Sequence, residues 1–311
     1  MTCNCKKTAL FTLFIVSLLT LGIISSTSPT SIYKERINKP VYTMQKVIFT
    51  DIDGTLLDSH FPDIKKMKKL VEKTLQNGIH LIFCSSKTEL EQNKIKSKIE
   101  LHEPFIVENG GATIVPVDYF KKSKIAHSKT LNKNYIIETG GSAYTIRTLL
   151  KKIRLEHDLN FKVVSELSIP ELTKIANIPR DFASRMMKRK YSETIVQIDT
   201  DDIPEFANIV EKVGLKMIPG DQYFDITLGN DKGTAVKILI DIFRNEYENN
   251  VIFFGIGNSK NDESMLSLMH LPILVQKVNG GWQNLQMDNL QRVKGVCPKG
   301  WEVALELILK Y

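Results

Sequence analysis

The chain has 311 residues, 42% hydrophobic and 25% charged, which is enough apolar material for at least one full core and excludes a disordered, collagen-like or disulfide-stapled protein. Its formal net charge is +7, but residues 1–46 hold six Lys or Arg against one Glu, so the rest of the chain is nearly neutral. No general phosphate-backbone footprint is left, and nucleic acid is not the expected partner.

The chain opens with Cys3 and Cys5, a lone C-x-C without further spaced ligands, which reads as two incidental thiols. Cys84 and Cys297 are isolated from each other, so a reduced protein is expected. From Thr8 to Ile24 no charge interrupts the apolar run that follows Lys6 and Lys7, a pattern of a signal-peptide core or a short membrane anchor. The small residues of "SSTSPTS" follow without an A-x-A cleavage pattern, and Lys34, Arg36 and Lys39 flank the far side, so the charges give no orientation. Residues 1–43 are read as an extension, with folding beginning at Met44.

Beyond Met44, short apolar runs alternate with helical stretches, as in parallel strands covered on both faces by crossover helices. "KVIFT" is the first strand, Asp63 to Gln76 a helix ended by Gly78, "IHLIFC" the second strand and "FIVEN" a third; "VIFFGIG" and "LPILV" repeat the pattern later. Between them, from 128 to 222, longer helices alternate with separate strands such as "FKVVS" and "ETIVQI". The expected class is α/β: a Rossmann-like parallel-sheet core, residues 44–127 and 223–311, with an inserted α/β cap at 128–222. The lysine clusters at 65–69 and 121–124 read as solvated faces, and Asp199, Asp201 and Asp202 as a surface loop.

The sharpest signal is "VIFTDIDGTLLD", an apolar strand ending in two aspartates one residue apart. Spacing i, i+2 puts both carboxylates on one side of extended chain, at the strand end where ligands gather in such sheets, with Gly54 free to turn the backbone. Two crowded acids repel unless a cation offsets them, and a hard cation such as Mg²⁺ favours oxygen donors. The fitting chemistry is phosphoryl transfer: Asp51 attacks phosphorus, while Asp53 protonates the leaving oxygen and then activates water.

D-x-D-G-T after a strand resembles the first motif of the haloacid dehalogenase superfamily. "FCSSKT" is similar to the second motif, which implies that Ser85 binds phosphate oxygens with Thr55 and Ser86 close by; "NDKGTAVKILI" is similar to the third, with Lys232 neutralising the reacting groups. "GIGNSKND" resembles the fourth, usually written G-D-x-x-N-D, whose acids complete the metal site. Here the first acid is replaced by Asn258, while Asp262 is retained. An amide oxygen brings no charge, so weaker Mg²⁺ binding is expected, with Asp51, the Asp53 carbonyl and Asp262 bearing more of it.

Seven longer strings, "FCSSKTELEQ", "PFIVENGGA", "RKYSETI", "NDKGTAVKIL", "GNSKND", "PILVQK" and "PKGW", are similar to the mannosyl-3-phosphoglycerate phosphatase family, class IIB of that superfamily. The resemblance implies hydrolysis of a mannosyl- or glucosyl-3-phosphoglycerate to the glycosylglycerate and phosphate, a route to compatible solutes. Its cap motif R-E-Y-S-E reads Arg189, Lys190, Tyr191, Ser192, Glu193, with Lys190 in place of an acid. Lys87, Arg189 and Lys232 suit a substrate carrying phosphate and carboxylate; Asn109, Ser192 and Glu193 are candidates for its remaining oxygens. Other sugar-phosphate phosphatases, a phosphomutase and a non-catalytic sugar-phosphate sensor are the alternatives. An intracellular substrate favours a catalytic domain facing the cytoplasm, with residues 8–24 left open as a signal or a membrane anchor; export is the alternative.

Overall fold

The structure, a computed structural model, describes residues 44–311 except 59–61, 122–124, 126, 127 and 221. The extension 1–43, with its apolar run and Cys3 and Cys5, lies outside the described residues. Among these, the strands are β1 (Gln45–Thr50), β2 (His80–Cys84), β3 (Phe105–Val107), β4 (Ala112–Pro116), β5 (Lys129–Leu131), β6 (Asn134–Glu138), β7 (Phe161–Val163), β8 (Ser192–Ile198), β9 (Lys216–Pro219), β10 (Phe224–Thr227), β11 (Val251–Gly257), β12 (Leu271–Gln276) and β13 (Gln291–Val296).

Nine strands form one sheet in the order β13-β12-β11-β1-β2-β3-β4-β6-β5. From β13 to β3 neighbours are parallel, and β1, β2 and β11 are almost wholly buried, as their unbroken apolar runs require. The class is therefore α/β, as the sequence pattern predicts. Register then fixes the site. Thr50 pairs with Ile256 on one side and Phe83 on the other, so β1, β2 and β11 release Asp51, Ser85 and Asn258 side by side at their C-terminal ends.

Helices cover the sheet. Asp63 caps the helix Ile64–Gln76, accepting the Lys66 N–H at 2.9 Å, and Gly78 stops it with φ +72°. Thr88 and Glu91 form a reciprocal capping box on Glu89–Ile99. The helix Lys232–Glu246 packs Val236, Leu239 and Phe243 onto Phe49 and Phe253; burying one such phenylalanine contributes roughly 2–3 kcal/mol. Fully buried Trp301 donates its indole N–H to Thr50 Oγ1 at 3.0 Å, tying the C-terminal helix to the end of β1.

A second sheet, β7-β8-β10-β9, is antiparallel throughout. The helices Ala143–His157 and Ile203–Lys212 cover one face, packing Ile146, Leu150 and Phe206 onto Ile195 and Ile226. The hairpin β5-β6 joins β4 of the large sheet and β10 belongs to the small one. The changeover between sheets thus falls after β6 and after β10, a hairpin later and a strand later than the expected 128 and 222. Strands of three to five residues are too short for alternation to reveal which sheet they join. No helix among the described residues is long and apolar enough to cross a membrane.

Candidate active site

Asp51 begins the loop after β1 and is 95% buried. The loop curls at once: Gly54 takes φ +69°, which a side chain would resist, and its N–H reaches the Leu57 carbonyl at 2.9 Å. This brings Thr55 back over the aspartate, its hydroxyl donating to Asp51 Oδ2 at 3.2 Å. Lys232, the first residue of its helix, is fully buried and places Nζ 2.6 Å from Asp51 Oδ1 and 2.7 Å from Asp262 Oδ1.

One ammonium between two carboxylates leaves the trio one negative charge in excess. Burial pushes the Asp51 carboxyl well above its usual range; Lys232 opposes the rise, and Asp262 and Asp53 add to it. Burial alone would lower the Lys232 ammonium, yet Asp262 and Asp51 together hold it above its usual value. A ligand that adds positive charge beside Asp51 would therefore be welcomed, and would hold it ionised.

Asp53 is 28% exposed, at the mouth, and its Oδ2 pairs with Lys87 Nζ at 2.9 Å. Burial would lower Lys87, but Asp53 and Glu91 override it and raise the ammonium. Fully buried Ser85 accepts the Lys87 N–H at 3.2 Å, leaving its own hydroxyl hydrogen to aim at an acceptor. Lys87 thus serves the second aspartate, while Ser85 sits where β2 ends beside β1.

At the end of β11, Asn258 is 97% buried and its Oδ1 accepts no hydrogen bond. Asp262, expected to share in holding a cation, has both oxygens engaged: Oδ1 by Lys232, and Oδ2 by the N–H groups of Asn258 and Ser259 at 2.9 and 3.0 Å. No three acidic, His or Cys side chains converge as ligands among the described residues. Asp51 and the orphaned Asn258 oxygen are hard oxygen donors at the ends of adjacent strands, and such donors fit a Mg²⁺-sized cation.

The small sheet meets this site through the segment that opens β8 and through Asp225 on β10. Arg189, 92% buried, donates from Nη1 to the Ser86 carbonyl at 3.2 Å and to Ser192 Oγ at 2.9 Å, with Asp225 at 3.6 Å. Alternation along β8 then separates its neighbours. Ser192 and Thr194 face one way, Thr194 donating to Asp225 Oδ1 at 2.6 Å; Glu193 turns to the helical side, where Arg147 Nε donates to its Oε2 at 2.6 Å. Asn109, buried with φ +52°, donates to Asp225 Oδ2 at 2.7 Å and accepts from Asn261 at 3.3 Å.

Thus Asp51, Asp53, Thr55, Ser85, Lys87, Lys232, Asn258 and Asp262 come together, with Ser86 and Arg189 above them. Asn109 and Ser192 join the two sheets, and Glu193 lies apart. Sequence reasoning passes over Glu108, Arg147 and Asp225, which hold these groups. Only the string "ENGG" hints at the first, through the unusual polar run that follows a buried strand.

The family model for haloacid dehalogenase-like hydrolases matches residues 48–280. A glucosyl-3-phosphoglycerate/mannosyl-3-phosphoglycerate phosphatase of Persephonella marina is 31% identical over 264 residues, 85% of this chain and 97% of its own. A mannosyl-3-phosphoglycerate phosphatase of Pyrococcus horikoshii is 32% identical over 232 residues, 75% and 91% of the two chains. In fold, a haloacid dehalogenase-like hydrolase from Bacteroides thetaiotaomicron superimposes with a TM-score of 0.57 at 15% identity, over 85% of this chain and 99% of that one.

Proposed function

Because this chain belongs to the haloacid dehalogenase-like hydrolase family, we propose that it is a Mg²⁺-dependent phosphatase that hydrolyses glucosyl- or mannosyl-3-phosphoglycerate to the glycosylglycerate and inorganic phosphate. Two relatives of that activity align along most of both chains. The observation that carries the reading is the placement of Asp51, Ser85 and Asn258 at three adjacent strand ends, with Lys232 2.6 Å from Asp51.

Asp51 is the nucleophile. One of its oxygens attacks phosphorus, the bond to the leaving oxygen breaks, and an aspartyl-phosphate forms. Asp53, at the mouth and held by Lys87, gives the leaving oxygen its proton, then takes one from the water that attacks the aspartyl-phosphate. Lys232 neutralises charge on Asp51 and the transferring group, and the Ser85 hydroxyl donates to a phosphoryl oxygen; both are fixed in place before reaction. Asp51, the Asp53 carbonyl and Asn258 Oδ1 would hold Mg²⁺, which supplies positive charge for the phosphoryl oxygens. Asp262 keeps Lys232 and the loop after β11 in position.

The small sheet and its helices act as a cap that excludes bulk water when it sits over the site. Arg189 and Ser86 line the junction where the leaving group would lie. We place the catalytic domain on the cytoplasmic side. Phosphate release by the full-length protein tests the activity, using both glycosides, free 3-phosphoglycerate and p-nitrophenyl phosphate, with and without Mg²⁺. Preference for the two glycosides, lost in Asp51→Asn, is the expected result; equal turnover of all four would reject the substrate assignment.

A further inference from the structure

We propose that Glu108 is a positioning residue for leaving-group recognition: its carboxylate holds the cap segment so that Arg189 offers a donor to an oxygen of the glycosylglycerate. This rests on the phosphatase reading above.

Glu108 follows β3 in a left-handed conformation, φ +50°, and is 99% buried, both unfavourable for a glutamate unless the position is held by its partners. The partners of its carboxylate all come from the cap. The N–H of Lys190 donates to Oε1 at 3.0 Å, and the N–H of Tyr191 and the hydroxyl of Ser192 donate to Oε2 at 2.9 and 2.8 Å. Ser192 Oγ, having given its hydrogen to Glu108, is left to accept, and it accepts Nη1 of Arg189 at 2.9 Å. The same nitrogen reaches the Ser86 carbonyl of the phosphate loop at 3.2 Å. An unbroken chain therefore runs from the loop after β3, through the cap, to the residue beside Ser85.

That chain fixes one side of the guanidinium and leaves the other. Nε of Arg189 is shielded from water and has no acceptor, and an unpaired buried donor is costly enough to require an answer. Glu108 and Asp225 already flank the guanidinium, so what it has to offer is a directed N–H rather than surplus charge. Through Nη1 the guanidinium already stands against the Ser86 carbonyl next to Ser85, where an oxygen of the leaving group, beyond the phosphate, would meet it.

Steady-state kinetics of Glu108→Gln on glucosyl-3-phosphoglycerate and on p-nitrophenyl phosphate test this. KM for the glycoside should rise about tenfold, while kcat/KM for p-nitrophenyl phosphate, whose leaving group lacks these oxygens, changes by less than about twofold. Ser192→Ala, which breaks the chain but spares the backbone bonds, should act in the same direction and keeps the test available if Glu108→Gln folds poorly. Adding Glu108→Gln to Arg189→Lys should cost no further discrimination, because both act through one guanidinium. Equal losses on both substrates, no loss, or additive losses in the double variant would overturn the positioning role alone. Wild-type protein that hydrolyses p-nitrophenyl phosphate through Asp51 yet turns over neither glycoside would instead overturn the substrate reading, and this role with it.

Discussion

Lys232 Nζ stands 2.6 Å from Asp51 Oδ1 at the end of a helix that starts with Lys232 itself. The ammonium is thus placed by backbone geometry rather than by a long flexible reach, and it also meets Asp262 at 2.7 Å. Removing it leaves two buried carboxylates facing each other. Lys232→Met should lower kcat by about 10²- to 10³-fold and destabilise the fold by about 3–5 kcal/mol, the cost of breaking a buried ion pair from one side. Phosphate-release kinetics and urea unfolding check the two parts separately. Loss of activity below tenfold would show that the lysine acts only in stability.

Asn258 carries a buried oxygen without a hydrogen-bond partner where a second acid is usual for the motif. Asn258→Asp adds a charged donor beside Asp51. The Mg²⁺ concentration for half-maximal activity, and the Mg²⁺ dissociation constant from calorimetry, should both fall about tenfold, since ligand charge tunes affinity for hard cations. Unchanged values in both titrations would remove Asn258 from the metal site.

The first turn of this site is legible in the sequence and the roof is not, for a physical reason. A buried parallel strand writes itself as a continuous apolar run, so β1 and its terminal Asp51 and Asp53 stand out, as do β2 with Ser85 and β11 with Asn258. The junction between sheets depends on contacts that no local period encodes. Glu108 binds residues more than eighty positions away, and Asn109 reaches Asp225 across 116 positions. Alternation in β8 does carry one signal: it puts Glu193 on the opposite face from Ser192, which points Glu193 to the helices and Arg147. The short hairpin β5-β6 offers no such clue.

Close backbone approach at the junction makes a further expectation. Gly110 has φ +85°, and a Cβ there would lie 1.9 Å from the Asp231 carbonyl oxygen, just ahead of Lys232. Gly110→Ala should cost about 2–4 kcal/mol through strain and overpacking and reduce activity by displacing the helix that carries Lys232. Thermal unfolding with parallel kinetics measures both. A stable, fully active variant would contradict the packing described.

Lys96 gives a pH dependence unconnected with catalysis. It is 93% buried, donates to the Glu103 carbonyl and lies over the Phe105 ring. Burial lowers its pKa to about 7, with Glu103 opposing the change. The unfolded lysine titrates near its ordinary value, so between about 7 and about 10.5 the unfolded state binds more protons. Stability from this group therefore rises with pH across that window. Lys96→Met should be more stable than wild type by a few kcal/mol at pH 6.5, because each tenfold loss of proton affinity on folding is worth on the order of 1.4 kcal/mol, with the advantage shrinking by pH 9.5. Unfolding midpoints of both proteins across the range decide it, and a constant difference would exclude a Lys96 that titrates early in the folded protein.

The covalent bond to Asp51 is detected directly by mass spectrometry of Asp53→Asn. With p-nitrophenyl phosphate the leaving group departs without a proton, so phosphoryl transfer proceeds while the Asp53-assisted attack of water is lost. After acid quench, the peptide bearing Asp51 should carry the added mass of one phosphoryl group. Turnover with that peptide unmodified at every time point, or sustained turnover by Asp51→Asn, would contradict the mechanism.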